Sequence, residues 1–221
     1  MSYFDTMIRP CLLDRIRATS DVWLYKGEVW EYEEVVSPTG RIWMDRNLGA
    51  SRAATVRNDS QSYGDYFQWG RLDDLHQNSD SATINTQSIG DIPGHGDFII
   101  DFSDWRNPSN DNLWSGGLNV PAPPGWRVPT EAEWLQEIDT WGDSGDPRDD
   151  AFNSILKMPV AGFRQGSSGT FFKIGNRAYI HSMTSVNGTT NIRMIYIDSG
   201  NKIIVNGSRS DGRPVRLIKE I

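Results

Sequence analysis

The chain has 221 residues, a formal net charge of −7, and 23% charged against 37% hydrophobic residues. That size fits one large domain or two small ones, and the acidic balance argues against a duplex-binding face, which needs Lys and Arg to neutralise phosphates. The only cysteine, Cys11, rules out an internal disulfide and a cysteine-built metal site, and no run approaches the ~20 apolar residues of a membrane span.

Residues 1–21 read differently from the rest. Pro10 ahead of CLLDRIRATSD suits a short helix with Pro at its first position, and Leu12, Leu13 and Ile16 form one apolar stripe. Two turns of isolated helix are marginal in water, so this arm is expected to dock on the domain behind it or on another protein. It has no apolar run of the length a signal peptide needs, and one cysteine is the usage of a reducing compartment. The chain is therefore expected to be made and folded in the cytosol.

From Val22 to Met44 the pattern is strand and turn: VWLY, VWEYEEVV and RIWM, separated by KGE and SPTG. SYGDYFQWGR (62–71) reads as a helix capped by Ser62 and Asp65, with Tyr66, Phe67 and Trp69 inward and Gly70 at its end. Residues 72–125 are polar and read as a long ordered loop pinned by Phe98, Ile99, Ile100, Trp105, Leu113 and Trp114.

Thr130 stands three residues before Glu133, the spacing of a capping box. Ala132, Leu135 and Ile138 then follow helical spacing beside Trp134, so a helix is expected from Thr130 to about Trp141. The acidic GDSGDPRDD (142–150) lacks the spaced ligands and closing Glu of a calcium loop and reads as a solvated turn. From Lys157 onward, strands alternate with NG, SG, NG and DG turns, the pattern of antiparallel hairpins. In NIRMIYI, Ile192, Met194 and Tyr196 share one face. The expected core is aromatic: Trp43, Phe67, Trp69, Trp126, Trp134 and Phe163. Arg46 and Asn47 are expected to hydrogen-bond loop backbone.

No motif carries catalysis. G-x-S-x-G, P-loop and H-E-x-x-H patterns are absent, and nothing singles out a carboxylate pair. His76, His95 and His181 are far apart and expected to be surface or hydrogen-bonded histidines. Neither a metal nor a cofactor is expected.

Six stretches in order, GRIWMDRNLGAS (40–51), SYGDYFQWGR (62–71), DIPGHGDFI (91–99), DWRNPSNDNLW (104–114), PPGWRVPTEAEW (123–134) and LKMPVAGFRQGSSGTF (156–171), together resemble the Fibrobacter succinogenes major paralogous domain. The resemblance spans about Gly27 to Ile221. It implies an α+β, C-type lectin-like fold over residues 22–221: two short helices, at 63–69 and 130–141, a small twisted antiparallel sheet, long ordered loops, and paired N- and C-terminal strands. The arm, residues 1–21, stands outside it. Formylglycine-generating enzymes share the R-V-P-T-E-A-E-W stretch but need active-site cysteines in the second half of the domain, where this chain has none. Members of the resembled family commonly carry two cysteines where this chain has Ala122 and Leu217.

With that resemblance, the lack of a signal-peptide run, the absent cysteine pair and the short arm lead to the expectation of a non-enzymatic bacteriophage virion protein. Its lectin-like domain would bind host-surface glycan or protein, or decorate a tail or capsid, and its arm would contact other virion proteins. Neither nucleic acid nor membrane insertion enters this expectation, and a homo-oligomer is expected, a trimer by class. The alternative is a bacterial cell-surface or secreted adhesion module. The ligand face of the lectin-like fold maps to Tyr179, His181, Thr189, Asn191, Arg193, Asn206, Arg209, Asp211 and Arg213, where an aromatic platform with Asn, Asp and Arg suits sugar recognition. Ala at Tyr179 and Arg209 is then expected to weaken binding and leave the melting temperature nearly unchanged.

Overall fold

The computed structural model describes residues 22–221; the expected helix and stripe of the arm lie outside the described residues. The chain opens with a hairpin of β1 (Val22–Tyr25) and β2 (Glu28–Glu31), turning at Lys26 and Gly27, both with positive φ. A second hairpin joins β3 (Glu34–Val36) to β4 (Ile42–Met44). Phe67–Gln68 forms β5, and Thr83–Ile84 and Phe98–Ile99 form the parallel pair β6 and β7. The remaining strands are β8 (Trp126–Arg127), β9 (Phe163–Arg164), β10 (Phe171–Phe172), β11 (Ala178–Ser185), β12 (Asn191–Ile197), β13 (Lys202–Ser208), β14 (Gly212–Arg213) and β15 (Ile218–Lys219).

These fifteen strands make five small sheets, two of them four-stranded in the orders β10-β9-β14-β5 and β3-β4-β15-β8. The described residues hold only two α-helices, α1 (Glu131–Ile138) and α2 (Pro147–Asn153). The molecule is therefore β-rich, and the expected α+β, C-type lectin-like class is corrected. β1 and β2 pair only with each other, while β15 at the C-terminal end pairs with β4 and β8.

The helix expected over 63–69 is absent. A single 3-10 turn, Ser60–Ser62, is capped by Asp59, and the chain then passes into β5. Gly64 explains the break. Its φ is +74°, and a Cβ there would lie 2.5 Å from the Leu48 carbonyl oxygen, so the backbone runs too close to residues 47–48 for a continuous helix. The chain instead extends, and Gln68 pairs with Gly212 and Phe67 with Arg213.

At α1 the capping box is formed in both directions: Glu133 N donates to Thr130 Oγ1 at 3.2 Å, and Thr130 N donates to a Glu133 oxygen at 2.9 Å. The acidic segment after it is not the solvated turn expected. Asp146 caps α2 through Arg148 N at 3.0 Å, with Pro147 at the first position, where a missing N–H costs nothing.

The meander β11-β12-β13 sits between two cores. Ile192 and Met194 join Phe67, Trp69, Trp105, Trp114 and Trp126 on one side. Ile195 and Ile197 join Trp43, Trp134, Ile138 and Leu156 on the other. Period-2 alternation thus buries both faces of β12. Trp43 and Trp134 rings meet at 4.8 Å. Five of the six expected core aromatics are buried; Phe163 is half-buried.

The long segment 72–125 is ordered by side chains that satisfy its backbone, as buried peptide groups require. Arg71 donates to Asp97 O at 3.0 Å and His95 O at 3.1 Å. Gln68 Nε2 donates to Ile99 O at 2.7 Å, and Trp105 Nε1 reaches back to Trp69 O at 2.7 Å. Asn119 Nδ2 clamps Asp91 O and Gly70 O. Nearby, Asn47 Nδ2 donates to Tyr63 O and Arg46 Nη1 to Ser51 O, as expected from their position in DRNLG.

Candidate functional site

The structure divides the nine expected face residues into two groups. Tyr179, His181, Arg209 and Arg213 are buried. The reason is that β11 lies between the two cores: Tyr179 packs into the first, Ala178 and Ile180 into the second, so the strand presents no open ligand side. Tyr179 lies between Phe163, at 4.6 Å, and Tyr196, at 5.3 Å. His181 Nε2 donates to Phe67 O at 2.7 Å, and its ring meets Trp114 edge-on at 5.3 Å. Burial holds its pKa well below the ordinary value, so it is a neutral core histidine. Arg209 lies 4.8 Å over the Trp69 ring, donates to Asn110 O at 3.0 Å and pairs with Asp111. Arg213 donates to Ser208 O at 2.8 Å and pairs with Asp211, which also accepts from Gly166 N at 2.7 Å. These five side chains brace strands and loops.

The other four stay at the surface. Thr189 is exposed in the turn between β11 and β12, its hydroxyl on Val186 O at 2.7 Å. Asn191 is half-buried, and its N–H donates to Thr189 Oγ1 at 3.1 Å. Arg193 pairs across the sheet with Asn206, donating to its Oδ1 at 2.7 Å.

Sequence reasoning missed their partner. Glu131, first residue of α1, accepts from Arg193 Nε at 2.9 Å and stands 2.8 Å from Nη2. Its backbone N–H donates to Thr184 Oγ1 at 3.0 Å. Glu131, Thr184, Arg193 and Asn206 therefore form a polar shelf whose planar groups are held in fixed directions by one another. Both charges are part exposed, so the pair contributes little to stability and leaves donors and acceptors open to a ligand. The capping box announced Glu131 at a helix start; nothing in sequence announced a partner 62 residues away.

Next to the shelf lies an apolar cleft of about 410 Å³, within the ~300–1,000 Å³ range of small-ligand pockets. Val120, Ala122, Pro123, Trp126 and Met183 line it, with Arg127 and Glu220 at its rim. Met183 of the cleft and Thr184 of the shelf are consecutive in β11, and both bond the entry to α1: Met183 N donates to Pro129 O at 2.7 Å and Glu131 N to Thr184 Oγ1. A second cleft, about 470 Å³, lies beside Trp141, Ser144 and Asp150. The Lys202 ammonium already sits there, 3.2 Å from both Trp141 O and an Asp150 oxygen.

Several other ionisable groups are committed to structure. His76 accepts from Gln68 N at 3.0 Å and faces Asp74; burial and the nearby Arg71 lower its pKa to about 4. Arg57 and Arg148 hold Asp146, Arg57 also holds Asp149, and Lys202 holds Asp150. Among the described residues, no group of three or more His, Cys, Asp or Glu could hold a metal ion. Nor is any described helix long and apolar enough to cross a membrane.

No family model matches the chain, and no curated protein or solved structure matches it.

Proposed function

We propose that this chain is a non-enzymatic binding domain displayed on a bacteriophage particle, on tail or capsid, where it engages host-surface glycan or protein. The polar shelf of Glu131, Thr184, Arg193 and Asn206 carries the reading. It offers convergent, mutually oriented donors and acceptors at the surface, beside apolar ground, which is the composition of a recognition site. Recognition by planar polar side chains fits a hydroxyl-rich ligand or a polar protein face. The commitment of His76, His181, Arg209 and Arg213 to backbone and core supports binding over chemistry at this surface.

Two measurements test this reading. Density-banded particles from a producing culture should contain the chain by mass spectrometry. The fluorescently labelled chain should bind intact cells of the host, with periodate or protease treatment of the cells telling glycan from protein. A chain found only in the unbanded lysate, with no cell binding, overturns the reading.

A further inference from the structure

We infer that the open edge of β13 pairs with the β13 edge of a second copy of the chain, antiparallel across a two-fold axis. The meander β11-β12-β13 has two outer edges. That of β11 is closed: His181 N donates to Pro214 O at 3.1 Å, Met183 N to Pro129 O at 2.7 Å, and Ala178 bridges to Gly162. Among the described strands, β13 pairs only with β12. Just beyond its end, Arg209 N and Ser210 N both reach Ser103 O. From Lys202 to Asn206, no described residue bonds the backbone on the outer side.

The ladder shows which groups point outward. Asp198 N donates to Asn201 O at 2.9 Å at the hairpin turn. Alternation from that pair directs the backbone of Ile203, Val205 and Gly207 to β12, and that of Lys202, Ile204 and Asn206 away from it. Asn191 O, across from Ser208, accepts from Val186 N on the β11 side, in phase with this alternation. Exposed edges are usually blunted by Pro, a bulge or an outward charge. KIIVN (202–206) has no Pro, its register with β12 is unbroken, and its only charge, Lys202, is tied to Asp150 at 3.2 Å.

The edge is also complementary to itself. Two copies placed antiparallel about Ile204 set the two Ile204 residues against each other and each Lys202 against the second copy's Asn206. Their outward groups then form about six N–H···O bonds. Ile203, 44% exposed, meets the second copy's Val205, an apolar cross-strand pair, and no like charges face each other. Such an isologous pair closes on itself and leaves no β13 edge free. The pairing does not depend on ligand binding at the shelf.

Sedimentation velocity of the full chain, from low to high micromolar concentration, should show one chain giving way to two. Over the same range, amide hydrogen exchange read by NMR should slow at Lys202, Ile204 and Asn206 and stay constant at Ile203 and Val205, which already bond β12. Ile203→Lys, checked for native circular dichroism, puts a charge against the second copy's Val205 and should weaken the pairing at least tenfold. A chain that stays single throughout, a three-chain species, two chains without concentration-dependent protection of those three amides, or a folded Ile203→Lys variant that pairs as tightly as the native chain overturns the inference.

Discussion

Arg127 and Glu133 face each other across the entry to α1 through two hydrogen bonds, of 2.6 and 2.7 Å. The same carboxylate accepts from Thr130 N and Thr130 Oγ1, and Arg41 Nη2 stands 2.7 Å from it. The capping-box glutamate thus ties the helix start, β8 and the β3–β4 hairpin together. A bidentate arginine–carboxylate pair of this geometry is among the stronger polar contacts a protein makes.

Acid should loosen this junction. Burial alone would raise the Glu133 pKa, but the bonds from Arg127 and Thr130 outweigh it and hold the group at about 2, against 4.5 ordinarily. A depressed carboxylate stabilises the fold above its unfolded pKa, and the contribution fades as pH falls through the folded value. Urea midpoints measured from pH 5 down to pH 2 should fall for the native chain. They should fall less steeply for Glu133→Gln, which has no proton to take up; parallel curves would assign the acid sensitivity elsewhere.

Trp134 belongs to the second core, against Trp43, with its Nε1 donating to His181 O at 3.2 Å. Trp134→Ala removes both the ring packing and that bond. Equilibrium denaturation should show a loss of about 3–5 kcal/mol, the usual cost of emptying a large aromatic site.

Arg209→Ala and Tyr179→Ala should lower the melting temperature by several degrees, the reverse of what the sequence leads one to expect. Arg209 holds Asn110 O and Asp111, and Asp104 lies 3.8 Å away, itself buried. Removing the guanidinium leaves a buried carboxylate with its main cation gone. Differential scanning calorimetry checks this, and unchanged melting temperatures would return both residues to the surface.

Gly49 lies where the N-terminal hairpin meets the body. A Cβ on it would stand 2.1 Å from an Asp65 carboxylate oxygen, the atom that accepts from Tyr25 Oη at 2.7 Å and lies 2.8 Å from Lys26 Nζ. Its φ of +82° adds strain for any side chain. Gly49→Ala should speed amide exchange across residues 22–31 while α1 keeps its protection, a local loosening of the hairpin.

Parts of this architecture are legible in the sequence for local reasons. The capped helix needs only Thr130, Glu133 and helical spacing, and the β11–β13 meander needs only alternation and turns. The aromatic anchors of the 72–125 segment are apolar points in a polar stretch. The failures are non-local. Phe67 and Gln68 look helical among Tyr66 and Trp69, yet their partners are Gly212 and Arg213, and the φ of Gly64 shows only when Leu48 comes near. Tyr179 and His181 read as an exposed strand face until Phe163, Phe67 and Trp114, from distant parts of the chain, are seen to cover them. The surviving part of the site, Arg193 with Asn206, lies in one hairpin, and its third member comes from a helix start.

The proposed recognition role is tested most directly by binding of the labelled chain to intact host cells, comparing the native chain with the Arg193→Ala, Asn206→Ala double variant. Both substituted side chains are at the surface, so melting temperatures should agree within about 2 °C, surface changes being worth roughly half a kcal/mol each. Cell binding should drop at least tenfold, and Val56→Ala, a change at an exposed position outside the shelf, should bind as the native chain does. Equal binding by the double variant and the native chain would contradict the shelf as the recognition site.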